Sequence, residues 1–182
     1  MSEPAKDLRI VKTRLAIHNA LIELIYQKDY ENISVQDIVR QAMINRATFY
    51  RHYTSKTDVL DEIIADIQNE RNALLLGLDK QGFAQSLHTT AQMMFEKRHI
   101  INALRMVKNR RHHFEDDVLA HLQTLYLQHL ALDDSQANRL QALLFANIAL
   151  TAFDYAFANQ DNISLTQISL HLRQISQLLE KG

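Results

Sequence analysis

Apolar side chains recur along this chain at steps of three and four rather than two, the spacing of helices. Between residues 8 and 28, Ile10, Leu15, Ile17, Leu21, Leu24 and Ile25 stand among Arg9, Lys12, Arg14 and Glu23, which predicts one amphipathic helix. "KDYENIS" breaks the pattern. Ser34 then precedes Val35, with Asp37 three residues on. That predicts an N-cap and capping box opening a short helix through Val35, Ile38 and Val39 to about Gln41. After "AMI", Asn45 is the next good N-cap and predicts a second short helix over Arg46–His52. "YTSK" interrupts again, with Thr54 or Ser55 placed to cap a longer helix over about 56–76.

Longer elements are predicted beyond that point. "GLDKQG" (77–82) is a break, and periodic segments follow at about 83–95, 98–109 and 114–131. "LDDS" (132–135) offers Asp133 or Asp134 as N-cap for a helix over 136–158. "NQDN" (159–162) separates it from a last helix near 165–180, where Ser164 and Gln167 resemble a capping box. Composition agrees: 182 residues hold 3 Gly and 1 Pro, too few turn formers for a strand-rich fold, and 47% apolar residues supply a core. The predicted fold class is all-α, a compact group of short helices followed by a larger group of long ones.

With no Cys there is no disulfide framework and no thiolate for catalysis or zinc. "MSEPAKDLRIVK" lacks an apolar signal core and no run of 18 apolar residues occurs, so a cytoplasmic location is expected. The net charge of −1 hides an asymmetry. Residues 40–57 hold Arg40, Arg46, Arg51 and Lys56 and no acid, whereas 61–182 carry 11 Lys/Arg against 14 Asp/Glu. A basic patch on a mildly acidic body suits a phosphate-bearing partner, because local rather than total charge governs that contact.

Two helices of about seven residues, joined by a short turn and braced by a longer helix before them, make a helix-turn-helix. Phe49 and Tyr53, at i and i+4 with Ile44 behind them, can anchor the second helix. Arg46, Thr48, Tyr50, Arg51 and His52 are then free to offer donors to phosphates and base edges. Alone, a short amphipathic helix with two Arg would equally be an ordinary solvated face. The conjunction of two capped helices, a short turn and an acid-free window favours a binding surface.

The stretch "TRLAIHNALIELIYQKDYENISVQDIVRQAMINRATFYRHYTSKTDVLDEII" resembles the DNA-binding domain of the TetR family of bacterial transcriptional regulators. "ISVQDIVRQA" is similar to the first motif helix, "INRATFYRHY" to the recognition helix and "SKTDVL" to the start of the connecting helix. The resemblance covers about a third of the chain. It implies domains at 1–56 (a three-helix, helix-turn-helix DNA-binding domain) and 57–182 (a larger helical domain for ligand binding and dimerisation). Met43 stands where most of the family has Gly, and since a non-Gly residue at positive φ is strained, a slightly different turn angle is expected.

Carried over, the resemblance implies that Val35 and Gln36 meet phosphate through backbone N–H. Asn45, Arg46, Ala47 and Thr48 face the groove, with Arg46 and Thr48 the candidates for base edges. Tyr50 and His52 bond phosphates, Lys56 pins the DNA backbone, and Arg51 serves either role. Partners are then double-stranded DNA with a palindromic operator, a second copy of the chain and a small effector, with no membrane, cofactor or metal.

In the C-terminal part, "LLFANIALTAFDYAFA" (143–158) is apolar nearly all round and predicts burial on every side. Ala142, Ala146, Ala149 and Ala156 recur at steps that allow close helix approach, with Phe153 on the same element. Ile168, Leu172, Ile175 and Leu179 form a coiled-coil-like seam. This periodicity argues for packing without choosing the partner; the resemblance implies that these two helices pair with their copies as a four-helix dimer interface. Met93, Met94, Phe95, Met106, Phe114, Tyr126 and Phe145 could line an effector cavity, with Asn147, Thr151 and Asp154 as polar anchors. Such residues at helical spacing are more often plain core, and the polar three could instead hydrogen-bond across the dimer. "RRHHFEDD" (110–117), followed by His121 and His129, is weighed as a metal site. Adjacent His112 and His113 point about 100° apart on a helix, so a polar corner is favoured. No catalytic constellation is nominated: an enzyme is not expected, and the remaining alternative is a helical interaction module that has lost DNA binding.

Overall fold

The computed structural model describes residues 4–75, 83–107, 111–133, 135–159 and 165–179. Among the described residues it contains helices and no strand. The helices are α1 (Pro4–Gln27), α2 (Val35–Gln41), α3 (Arg46–Tyr50), α4 (Lys56–Leu75), α5 (Phe83–Glu96), α6 (Arg98–Met106), α7 (Arg111–His129), α8 (Gln136–Ala158) and α9 (Leu165–Leu179), with a 3₁₀ turn at Tyr30–Asn32. They fall into two compact units: Met1–Gln68 with Asn102–Arg111, and Asn69–Ile101 with His112–Gly182. The breaks expected at 77–82 and 160–162, and the Asp134 and Ser164 caps, lie outside the described residues.

Local chemistry sets the boundaries in the first unit. The Asp37 N–H donates to Ser34 Oγ (3.2 Å) and the Ser34 N–H to Asp37 Oδ2 (2.9 Å), the expected capping box of α2. Lys28 Nζ reaches the same Oδ2 at 2.8 Å, and together with Ser34 it holds the Asp37 carboxyl well below the usual carboxylate range. Asn45 Oδ1 accepts the Thr48 N–H at 2.7 Å and starts α3. The Asp58 N–H donates to Ser55 Oγ (3.2 Å) and the Ser55 N–H to Asp58 Oδ2 (3.2 Å), which repeats the device at α4. Hydrogen bonds from Thr54 and Ser55 hold the Asp58 carboxyl down to about 2.

The turn between α2 and α3 differs from expectation. Met43 does not shift the turn angle to avoid positive φ; it adopts φ 52°. Its N–H donates to Arg40 O and the Ile44 N–H reaches back to Val39 O (3.1 Å), the paired bonds of a Schellman helix end. The same geometry closes α7, with Ala131 at φ 50°. A left-handed non-Gly residue costs about 1–2 kcal/mol, and the Met43 side chain, 93% exposed, recovers little by packing. Glycine would relieve that strain but add about 0.4–1 kcal/mol of unfolded-state entropy. Met43→Gly is therefore expected to stabilise the protein by about 0.5–1 kcal/mol, read as a higher urea midpoint at unchanged slope; a lower midpoint would show that the side chain is needed.

The first unit buries Ile17, Leu21, Leu24 and Ile25 of α1 with Ile38, Val39, Phe49, Tyr53, Leu60 and Ile63. Ile10 and Leu15, expected on that stripe, are instead exposed, because the stripe winds away from the core toward the start of α1. In the second unit α9 packs against α5 and α8. The cap of α8 is Ser135 rather than Asp133: Ser135 Oγ accepts the Asn138 N–H (3.3 Å), while Asp133 takes the Asn138 side-chain amide at 2.6 Å.

α8 has two faces rather than one buried surround. Ala142, Phe145, Ala146, Ala149, Phe153 and Ala156 are buried in the unit's own core. Ile168 and Leu172 of α9 are buried likewise, Ile175 is half-buried, and the Leu179 side chain lies outside the described residues. The residues expected to meet a second chain therefore fill this chain's interior. The surface left open on α8 is Leu140, Leu143, Leu144, Ile148 and Tyr155, with Asn147, Thr151 and Asp154 among them. α8 is long and apolar enough by composition to cross a membrane, yet one side of it is core and the other carries these polar groups.

Candidate nucleic-acid interface

α3 is a short helix held from beneath. Phe49 is fully buried, its ring 5.9 Å from that of Tyr53 and edge-on to Tyr50 at 5.4 Å. Arg46, Ala47, Tyr50 and Arg51 are exposed, and Thr48 and His52 are half-buried at the margin. The two arginines are pre-aimed along the helix surface. The Arg46 guanidinium lies over the Tyr50 ring (5.5 Å to the centroid), with Nη2 3.4 Å from the Tyr50 hydroxyl. Arg51 Nη2 donates to Thr48 Oγ1 at 2.9 Å. Asn45 is exposed, with its Oδ1 engaged in the cap. Val35 and Gln36 form the first turn of α2, whose leading N–H groups have no helical partner and can meet an anion.

A groove of about 440 Å³ runs beside this face, lined by Arg9, Ile10 and Thr13 of α1 with Thr48, Arg51 and His52. Lys12 lines a second groove next to it with Leu8, Arg9 and Ile44. Arg9, Lys12 and Thr13 thus extend the basic surface. Periodicity had placed Arg9 and Lys12 on the polar side of α1, but it carries no signal for the side of the motif on which α1 begins.

Lys56 is placed differently from expectation. Its Nζ donates to the carbonyls of Tyr30 (2.7 Å), Glu31 (3.0 Å) and Ile33 (2.9 Å) and sits 4.5 Å from the Tyr30 ring centroid. An ammonium has three protons, and these three carbonyls take them all. Lys56 clamps the 3₁₀ turn onto the start of α4 instead of reaching outward. Lys56→Met is expected to lower stability by about 1.5–3 kcal/mol, the contribution of hydrogen bonds to a charged donor. Thermal denaturation checks this, and an unchanged melting temperature would return Lys56 to the binding surface.

A second clamp was not visible in the sequence. The Tyr53 hydroxyl lies 2.9 Å from His18 Nε2 and accepts from Arg14 Nε at 3.4 Å, while Arg14 forms an ion pair with Glu62 of α4. Burial pushes the His18 imidazole below its usual range and the Tyr53 phenol up to about 12. At neutral pH both are uncharged, so the network is a neutral Tyr–His pair beside an Arg–Glu pair. It ties the residue after the recognition turn to α1 and α4. His18, Glu62 and Asp66 bring potential metal-ligand atoms within 4.8 Å of one another; Arg14 already engages Glu62, and Tyr53 engages His18.

The expected effector set does not converge. Met93, Met94, Tyr126 and Phe145 are buried in the second unit, with Tyr126 and Phe145 rings 4.9 Å apart, and Phe95 is half-buried. Met106 is exposed and belongs to the first unit. Asn147 and Thr151 are on the open face of α8, each donating to its own helix, to Leu143 O and Asn147 O respectively (2.8 Å each). Side chains of His112, His113, Phe114 and His129 lie outside the described residues. His121 points into the core instead of joining a polar corner.

Residues 17–63 match the sequence profile of bacterial regulatory proteins of the tetR family. An uncharacterised HTH-type transcriptional regulator of Bacillus subtilis (strain 168), YxbF, is 42% identical over 59 residues, 32% of this chain and only 16% of that relative's length. The fold is similar to a TetR transcriptional regulator from Streptococcus agalactiae 2603V, with TM-score 0.65 and 20% identity over 96% of this chain and 97% of that one. It is also similar to a TerR/AcrR-family regulator from Aquifex aeolicus VF5, with TM-score 0.68 and 18% identity over 92% and 99% of the two chains.

Proposed function

We propose that this chain, whose residues 17–63 match the tetR-family profile, is a transcriptional regulator of that family that acts in the cytoplasm as a homodimeric repressor, its 1–56 segment binding a palindromic operator. A small effector bound by the helices of 57–182 releases the DNA. The observation that carries the DNA-binding part is the division of α3 into a buried Phe49 and an exposed face of Arg46, Ala47, Tyr50 and Arg51. Such a helix can enter a major groove with its basic face foremost while its scaffold stays unchanged. Thr48 and Arg46 read base edges, Tyr50, Arg51 and His52 hold phosphates, and the first turn of α2 at Val35 and Gln36 adds backbone N–H contacts. Arg9 and Lys12 join them from α1. Two copies place recognition helices in successive grooves, roughly 34–36 Å apart or a multiple of that.

The dimer face is the open side of α8, Leu140, Leu143, Leu144, Ile148 and Tyr155, together with the exposed Leu170 and Leu178 of α9. An apolar strip of this length is unusual on a solvated monomer surface.

Fluorescence anisotropy on DNA from upstream of the protein's own coding region, against a scrambled duplex at two salt concentrations, tests the reading. Tighter binding to the upstream DNA, weakening steeply with salt, is expected. Arg46→Ala is expected to remove about 1–3 kcal/mol of the preference for operator over scrambled duplex while leaving the salt slope nearly intact. Absence of binding to either duplex at low salt would favour a helical interaction module without DNA affinity.

A further inference from the structure

The second unit buries polar groups that its own interior does not satisfy. Arg71 on α4 is 6% exposed, Thr90 on α5 is 1% exposed and His121 on α7 is 5% exposed. Among the described residues, Arg71 Nε and Nη1, Thr90 Oγ1 and both ring nitrogens of His121 have no hydrogen-bond partner. The helices that carry Thr90 and His121 also bury Leu87 and Met94 (α5) and Leu122 and Leu125 (α7). A guanidinium is protonated at any accessible pH, and leaving its donors unmet in an apolar interior is among the costlier features a fold can carry. Asp117 on α7 favours the charged form of Arg71 but accepts from neither of those two donors. Burial and the Arg71 cation together hold His121 down to about 4, so at neutral pH its ring presents one donor and one acceptor beside a fixed positive charge.

We propose that Arg71, with His121 and Thr90, forms the recognition site for a small organic anion, a carboxylate carried on an apolar body. The guanidinium is planar and offers paired N–H donors that match the two oxygens of a carboxylate. The neutral imidazole and the Thr90 hydroxyl supply further polar contacts, and the surrounding Leu and Met side chains accept the hydrocarbon part. An amine would meet the Arg71 charge directly. A neutral alcohol would leave that charge unbalanced. The site selects against both. This rests on the effector-binding reading of residues 57–182 and names the chemical class of the effector.

The test compares octanoate and benzoate with 1-octanol, benzyl alcohol and octylamine, following thermal denaturation and titration calorimetry of the purified full-length protein. The acids are expected to raise the melting temperature and the alcohols and amine to leave it unchanged. Arg71→Met is expected to bind the acids roughly ten- to hundredfold more weakly and, without ligand, to melt no lower than the parent, since it replaces a buried charge with two unmet donor nitrogens by an apolar chain of similar length. Arg71→Lys, which keeps the charge but loses the planar fork, is expected to retain part of the acid-induced shift and carries the test if Arg71→Met does not fold. Three results would overturn the assignment: no shift with either acid, equal shifts with acid and alcohol, or an acid-induced shift that survives in Arg71→Met. Operator binding separates this from the broader reading. Acids that bind without loosening operator DNA leave the anion site standing and remove the effector role, whereas DNA release by a neutral compound alone does the opposite.

Discussion

Phe49→Ala is expected to lower the stability of the first unit by about 3–5 kcal/mol, the usual cost of removing a buried aromatic ring. Phe49 is fully buried, packs against the Tyr53 and Tyr50 rings, and is the one buried residue of α3. A helix of 5 residues cannot persist without tertiary support. The ring is thus what turns an Asn45 cap and little more than one turn of helix into a fixed platform. Loss should appear twice: as a lowered melting temperature, and as loss of operator affinity even where the rest of the protein stays folded. Hydrogen exchange at residues 46–53 resolves the two. Exchange as slow as in the parent would show that α3 is held by something other than this ring.

The second large effect concerns association. Leu144→Glu places a charge on the open side of α8, where Leu144 is 46% exposed. In a monomer such a surface change is within about 0.5 kcal/mol of neutral. In a two-fold interface it enters from both copies and buries unpaired charge, which costs on the order of 3 kcal/mol or more. Sedimentation equilibrium is expected to report a monomer with unaltered helical content, at association roughly a hundredfold weaker or worse. Ala149→Leu is the matched control. Ala149 is fully buried on the opposite side of α8, so the added bulk should cost about 1–3 kcal/mol of folding stability by overpacking and leave association alone. A dimer that survives Leu144→Glu but not Ala149→Leu would mean that the interface lies on the other side of the helix.

Much of this protein was legible without coordinates, for a physical reason. Caps act within three residues, so Ser34 with Asp37 and Asn45 with Thr48 announce their helix starts in sequence order. The recognition motif is similarly local: its anchor Phe49 and its exposed Arg46 and Tyr50 are fixed by one turn of helix. The acid-free window around it needs no folding to be counted. The bounds of α8, 136–158, follow from the "LDDS" and "NQDN" breaks on either side of it.

What the linear pattern left undecided lies wherever direction in space matters. Apolar periodicity says that α8 is buried, but an Ala/Phe face and a Leu/Ile/Tyr face are equally apolar. Only packing of α9 against α8 and α5 assigns the small residues to this chain's core and leaves the large ones outside. Lys56 carries the same charge whether it reaches out to a phosphate or back to three carbonyls; the Tyr30–Asn32 turn, 26 residues earlier at its first carbonyl contact, decides it. Arg71, Thr90 and His121 are separated along the chain and belong to three helices, and no spacing rule joins them. Burial of all three in the second unit is a property of the fold. The helices, the caps of α2 and α3 and the basic face of α3 could be read along the chain because they depend on near neighbours. Which face is interior, which cation is tied down and which keeps unmet donors follow only from folding, because they depend on residues distant in the chain.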